Sequence, residues 1–213
     1  HPHNNVAVSL PWLLLWTTLI VRARTAGARC IGISLLAATT GFAVTGGHAE
    51  TALYILMANA LYLVLHVVRR QDHQSHTAQA RAILDWCLGI LLGAGIAAVQ
   101  LIPFLEWLPL SAEYAERSDR SFIWFNWQFL KEIPSLAVVA MPNIFGNPTW
   151  DGPYWSFNPW SNYNEAALYT GVVALALGVL AIVQQRSDPQ VRIWTIIGGV
   201  ALAMAMRVPV IDR

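Results

Sequence analysis

Of the chain's 213 residues, 56% are hydrophobic and only 12% are charged. A soluble domain carries about 25% charged residues, so the deficit points to lipid as the solvent. The formal net charge of +1 offers no electrostatic footing for nucleic acid.

In chain order, HPHNN at 1–5 lacks the basic character of a signal peptide's first region. A bilayer core takes about 20 apolar residues in a helix. Six runs meet or approach that length: Val6–Val21, Cys30–Thr45, Thr51–Val68, Ile83–Leu105, Ala166–Val183 and Ile193–Met206. None shows the period-2 alternation of a barrel strand, so the expected architecture is an all-α polytopic membrane protein of about six helices. Cys30 and Cys87 fall inside apolar runs, where thiols are inert packing groups rather than a disulfide.

The arginines orient the spans. Arg22, Arg24 and Arg29 follow the first run, Arg69, Arg70 and Arg81 the third, and Arg186 and Arg192 the fifth. These are alternate loops, and cytoplasmic loops collect Lys and Arg. HPHNN, the join GGHAE at 46–50 and the stretch 107–165 are thereby expected outside. Long loops translocate regardless of charge, so Arg117, Arg120 and Lys131 do not disturb this reading.

The third run carries Asn59, Tyr62 and His66 at i, i+3 and i+7, a polar stripe expected to face neighbouring helices. In QLIPFLEW (100–107), Pro103 is expected to kink or end the fourth run. His73 and His76 form a pair without further ligands, so no metal site is expected and no cofactor is evident. Phosphate-binding, serine-hydrolase and zinc-peptidase motifs are missing from the sequence.

The stretch 107–165 holds Trp107, Trp124, Trp127, Trp150, Trp155 and Trp160. Disordered segments lack aromatics, so an ordered extracytoplasmic cap with short helices is expected within one transmembrane domain covering 1–213. Phe122, Phe125 and Phe129 share one helical face, as in an interfacial helix. Three carboxylates mark outer span ends: Glu50, Glu106 and Glu165. Glu50 stands three residues after Gly47, and Glu165 three after Asn162, the spacing of a helix-start cap. Glu106 lies near a helix C-terminus, where the dipole disfavours it.

Four segments carry a family resemblance. GGHAETALYILMANALYLV (46–64), QLIPFLEWLPLS (100–111), MPNIFGNP (141–148) and NYNEAALYTGVVALALGVLAI (162–182) resemble, in order, motifs of the bacterial YfhO-like membrane proteins. That family is similar to the GT-C membrane glycosyltransferases. The resemblance implies an enzyme of the bacterial cytoplasmic membrane. Such an enzyme moves a sugar from a polyprenyl-phosphate donor to a cell-envelope acceptor at the outer face. It also implies that the key acid lies in a first outer loop beyond this segment of a longer protein. His48 and Glu50 are the catalytic candidates, and Glu106, Arg117, Arg120, Tyr163 and Glu165 the candidates for holding substrate, with Arg117 or Arg120 on the phosphate. The alternative is a transporter or flippase of an envelope lipid, without chemistry; such proteins place charges at mid-membrane and repeat their halves.

Overall fold

The computed structural model describes residues 2–69, 75–112, 114, 133–147 and 171–205. The chain divides into two units, His1–Ser121 and Phe122–Arg213. Among the described residues the regular structure is entirely helical.

In the first unit, α1 (Pro2–Ala7) passes through a turn at Val8 and Ser9 into α2 (Leu10–Arg22). Then come α3 (Ala26–Thr45), α4 (Ala49–Arg69), α5 (His76–Ile96) and α6 (Ala98–Trp107). Four stretches are long and apolar enough to cross a membrane: Asn4–Arg22, Ala26–Thr45, Ala49–Arg69 and His76–Ile96.

The starts of α3 and α5 follow from local chemistry. Thr25 and Ser75 hold extended backbone and their hydroxyls accept the N–H of Ala28 and Ala78, which satisfies one orphan donor at each helix start. The fourth span is therefore displaced from the expected Ile83–Leu105. It begins at His76 and stops at Ile96. The Ala97 N–H is shared between the carbonyls of Gly93 and Gly95, which closes the helix before α6 restarts. Pro103 falls inside α6 and does not end it; the break in this run lies upstream, at Ala97.

Side-chain partners fix the helix directions. Trp16 Nε1 donates to Thr39 Oγ1, and Ile20 lies against Gly32, so α2 and α3 are antiparallel. Arg29 pairs with Asp85, Leu36 lies against Gly89, Thr40 against Gly93 and Gly41 against Ile96, so α3 and α5 are parallel. Thr17 and Thr18 meet Asn59 and Tyr62, so α2 and α4 are parallel too. Arg22, Arg24, Arg29, Arg69 and Arg81 accordingly gather at one end of this unit, and the Gly46–His48 join lies at the other.

The faces of α5 run opposite to those of a soluble protein. Buried are Gln79, Ala82, Asp85, Gly89 and Gly93. Turned outward are Leu84 and Leu91, at 68% and 69% exposure. Large apolar side chains outside and small or polar ones inside suit a helix whose surroundings are hydrocarbon. The core proper joins Val6, Leu13, Ile20, Leu36, Ala43 and Ile55 from α1 to α4.

In the second unit, α7 (Val172–Gln184) and α8 (Pro189–Ala205) form a hairpin. Asp188 Oδ1 accepts the N–H of Gln190 and Val191, and Pro189 opens α8, where a missing N–H costs nothing. Arg192 Nε donates to the Arg186 carbonyl across the turn. A single helical turn, Ala137–Ala140, precedes them. Both long helices are apolar but shorter than the four of the first unit.

The glycines on the α3–α5 seam are expected to be intolerant of a side chain. A Cβ at Gly93 would stand 2.5 Å from Thr40 Cβ and 2.7 Å from the Ala37 carbonyl oxygen, whereas one at Gly95 would meet nothing within 4 Å. G93A should therefore destabilise the detergent-solubilised protein by about 1–3 kcal/mol. G95A should leave the melting midpoint unchanged or slightly raised. Equal midpoints for both variants would overturn the close packing of α3 on α5.

Candidate functional site

The join between α3 and α4 brings two of the sequence candidates into view. Gly47 turns the chain with φ 87°, a left-handed conformation that glycine adopts without strain. His48 then takes the N-cap position of α4. Its carbonyl accepts the Ala52 N–H, and its ring Nδ1 accepts the Thr51 N–H at 3.1 Å, with Thr51 Oγ1 at 2.8 Å from the same nitrogen. Capping thus belongs to His48 and Thr51, and the spacing from Gly47 to Glu50 plays no part in it.

This geometry constrains the chemistry of His48. A backbone N–H can only donate, so Nδ1 is an acceptor and the neutral ring carries its proton on Nε2. Nε2–H is then the ring's donor. Nδ1 could take a proton only by surrendering the helix cap. Glu50 has no such restriction. It is exposed in the first turn of α4, where the helix dipole favours negative charge, and Oε1 accepts from Tyr54 Oη at 2.7 Å. No described cation pairs with it.

Glu106 is exposed in the last turn of α6. That helix starts from the same end of the unit as the His48 join, because Ile96 lies against Gly41 near the end of α3, and it packs on α3 and α5. Arg117, Arg120, Tyr163 and Glu165, with Trp124, Trp127, Trp150, Trp155 and Trp160, lie outside the described residues.

Two members of the α4 stripe, Asn59 and Tyr62, make contacts to other helices. Asn59, fully buried, accepts from Trp86 Nε1 at 2.7 Å and exchanges hydrogen bonds with Thr17 Oγ1 at 2.9 and 3.2 Å. One amide thus ties α4 to α2 and α5. Thr18 gives its proton to the Leu14 carbonyl, so at 2.9 Å Tyr62 Oη is the donor to Thr18. The Tyr62 and His66 rings lie 4.3 Å apart.

Sequence reasoning missed the pair between Arg29 and Asp85. Arg29 Nε and Nη2 reach the two carboxylate oxygens at 2.6 and 2.7 Å, a fork geometry. Asp85 is a buried charge inside a span, and such a residue calls for a named partner; that rule was the available signal. Cys30 and Cys87 are both free thiols, and Cys30 is exposed. Among the described residues, no three His, Cys, Asp or Glu side chains gather as metal ligands.

The cap and any chemistry at His48 are separable. H48A should lower stability by about 1 kcal/mol, and H48N should restore most of it, because Asn is a better N-cap than Ala. Thermal unfolding of the two variants in one detergent measures this. An H48N protein as unstable as H48A would remove His48 from the cap.

Compared with known proteins, the chain matches no family model, no curated protein and no solved structure.

Proposed function

We propose that the chain is part of a GT-C-like membrane glycosyltransferase that takes a sugar from a polyprenyl-phosphate donor and passes it to a cell-envelope acceptor. In this reading the protein has six spans, α7 and α8 contributing two. The arginine-rich end of the first unit faces the cytoplasm, and residues 107–165 form an extracytoplasmic cap. The observation that carries it is Glu50: an exposed carboxylate, at the end of the bundle away from the arginines, unpaired with any described cation. Such a group is placed to take a proton from an acceptor hydroxyl as the lipid phosphate leaves. His48, held as an Nε2 donor, suits an oxygen of the departing phosphate rather than the proton transfer. Glu106, Arg117 and Arg120 are the further substrate candidates of the first unit in this reading, and Tyr163 and Glu165 those of the second, on the resemblance alone. The resemblance of the GGHAE, QLIPFLEW, MPNIFGNP and NYNEAALYTG segments to YfhO-like proteins supports the same reading. A transporter would use polar groups at mid-span to line a path, and Asn59 and Tyr62 at the middle of α4 are engaged in holding helices.

The experiment is transfer of radiolabelled sugar from polyprenyl-phosphate donor by membranes carrying the full-length protein. E50Q and E165Q should abolish transfer while leaving expression and melting close to the parent, since Gln keeps the shape and loses the charge. Full activity in both variants would refute the site. Sidedness is tested separately. With Cys30 and Cys87 replaced by serine, a single cysteine introduced at position 48 should react with an impermeant maleimide in intact cells, and one at 24 should not. The reverse pattern would invert the topology.

A further inference from the structure

At the arginine end of the first unit lies a cavity of about 290 Å³ between the end of α2 and the starts of α3 and α5. Its charged lining is Arg24, Arg29, Arg81 and Asp85, with Ile20 and Ala82 on the apolar side. Three guanidiniums face one carboxylate. Both oxygens of that carboxylate accept from Arg29, whose charge it balances. Neither Arg24 nor Arg81 pairs with Asp85 or with any other anionic partner among the described residues. Thr25, Ala26 and Ala78, at the starts of α3 and α5, contribute to the wall, and the positive ends of these two long helices add to the same field.

We propose that this cavity binds a phosphate-bearing anion, with Arg24 and Arg81 closing on the phosphate while Arg29, fixed by Asp85, forms its floor. Arginine forks match phosphate oxygens two at a time. The volume sits just below the range of about 300–1,000 Å³ found for drug-sized ligands. It suits a headgroup and leaves no room for a whole nucleotide sugar. The nearest source is the bilayer itself. The cavity opens where spans end, at headgroup depth, and basic pockets between helices on the cytoplasmic side are how membrane proteins hold anionic lipids. The site is at the end opposite Glu50, so it stands independently of the proposed transfer reaction.

The test is a titration of the purified full chain in neutral detergent with phosphatidylglycerol, read by native mass spectrometry. R24Q with R81Q should weaken lipid retention roughly thirtyfold, at about 1 kcal/mol for each arginine. R22Q with R69Q removes the same charge from the same end of the unit but outside the cavity, and should leave retention nearly unchanged. Soluble glycerol phosphate added as a competitor identifies the source. Displacement of the lipid means that the phosphate alone is recognised, and no displacement means that the bilayer supplies the ligand; both outcomes support the site. Equal losses in the two double variants would mean diffuse surface attraction, and full retention by R24Q with R81Q would mean no site. Either result overturns the proposal. All four arginines are exposed, so the melting midpoint of each variant should match the parent and serves as the folding control.

Discussion

The parallel contact of α3 with α5 is the constraint on which the first unit depends. Two helices separated by a third can lie side by side only if nothing bulky stands between them. Gly41, Gly89 and Gly93 provide that, each with less than 3 Å for an added Cβ. Small residues at a seam bring the backbones close enough for dispersion to act, which matters in lipid because the apolar side chains gain nothing by leaving hydrocarbon. Close packing alone leaves register undetermined, since Gly89 and Gly93 repeat every four residues and a slip of one turn would present a similar face. The Arg29–Asp85 fork removes that freedom. A slip would leave a buried carboxylate without its partner, which a span does not tolerate.

With α3 and α5 fixed, the remaining helices are placed by polar contacts of a different kind. Asn59 touches α2 through Thr17 and α5 through Trp86, so α4 is held in register by one buried amide. Interhelical bonds of this sort in membranes are worth about 0.6 kcal/mol on average. Their value therefore lies in specifying one arrangement rather than in net stability, because a rotated α4 would turn an amide toward lipid. The apolar exterior carries little positional information: Leu84, Leu88 and Leu91 face outward, and any of them is satisfied by any acyl chain.

What the sequence displayed and what it hid follow from this division. The spans of α2, α3 and α4 could be read because hydropathy is a local property, and the stripe of Asn59, Tyr62 and His66 because one helical period carries it. Helix directions in the first unit agree with the alternation of the arginine turns. The start of α5 was obscured for a physical reason. Gln79, Arg81 and Asp85 lower the local hydropathy, yet Gln79 and Asp85 point inward and Asp85 is neutralised by a residue 56 positions away. A pair at that separation leaves no local trace. The break at Ala97 was concealed by the more conspicuous Pro103, and the cap of α4 by the expectation that Gly47 rather than an imidazole would open the helix. Of the site candidates, the structure describes His48, Glu50 and Glu106.

Subtracting the polar groups committed to structure narrows where chemistry can reside in the first unit. Asn59, Thr17, Trp86 and Tyr62 are engaged within the bundle, and Arg29 and Asp85 engage each other. His48 Nδ1 is held by the α4 backbone. The charged groups left over are Glu50 at one end, Arg22, Arg24, Arg69 and Arg81 at the other, and Glu106 in the last turn of α6, all exposed. Glu50 and the arginines lie at opposite ends of helices of 20 and 21 residues, a separation of about 30 Å at 1.5 Å per residue. Over that distance, several times a Debye length of about 8 Å, solvent-exposed charges do not influence one another. The acid end and the arginine end are thus electrostatically independent, and changes confined to one should leave the other's binding untouched.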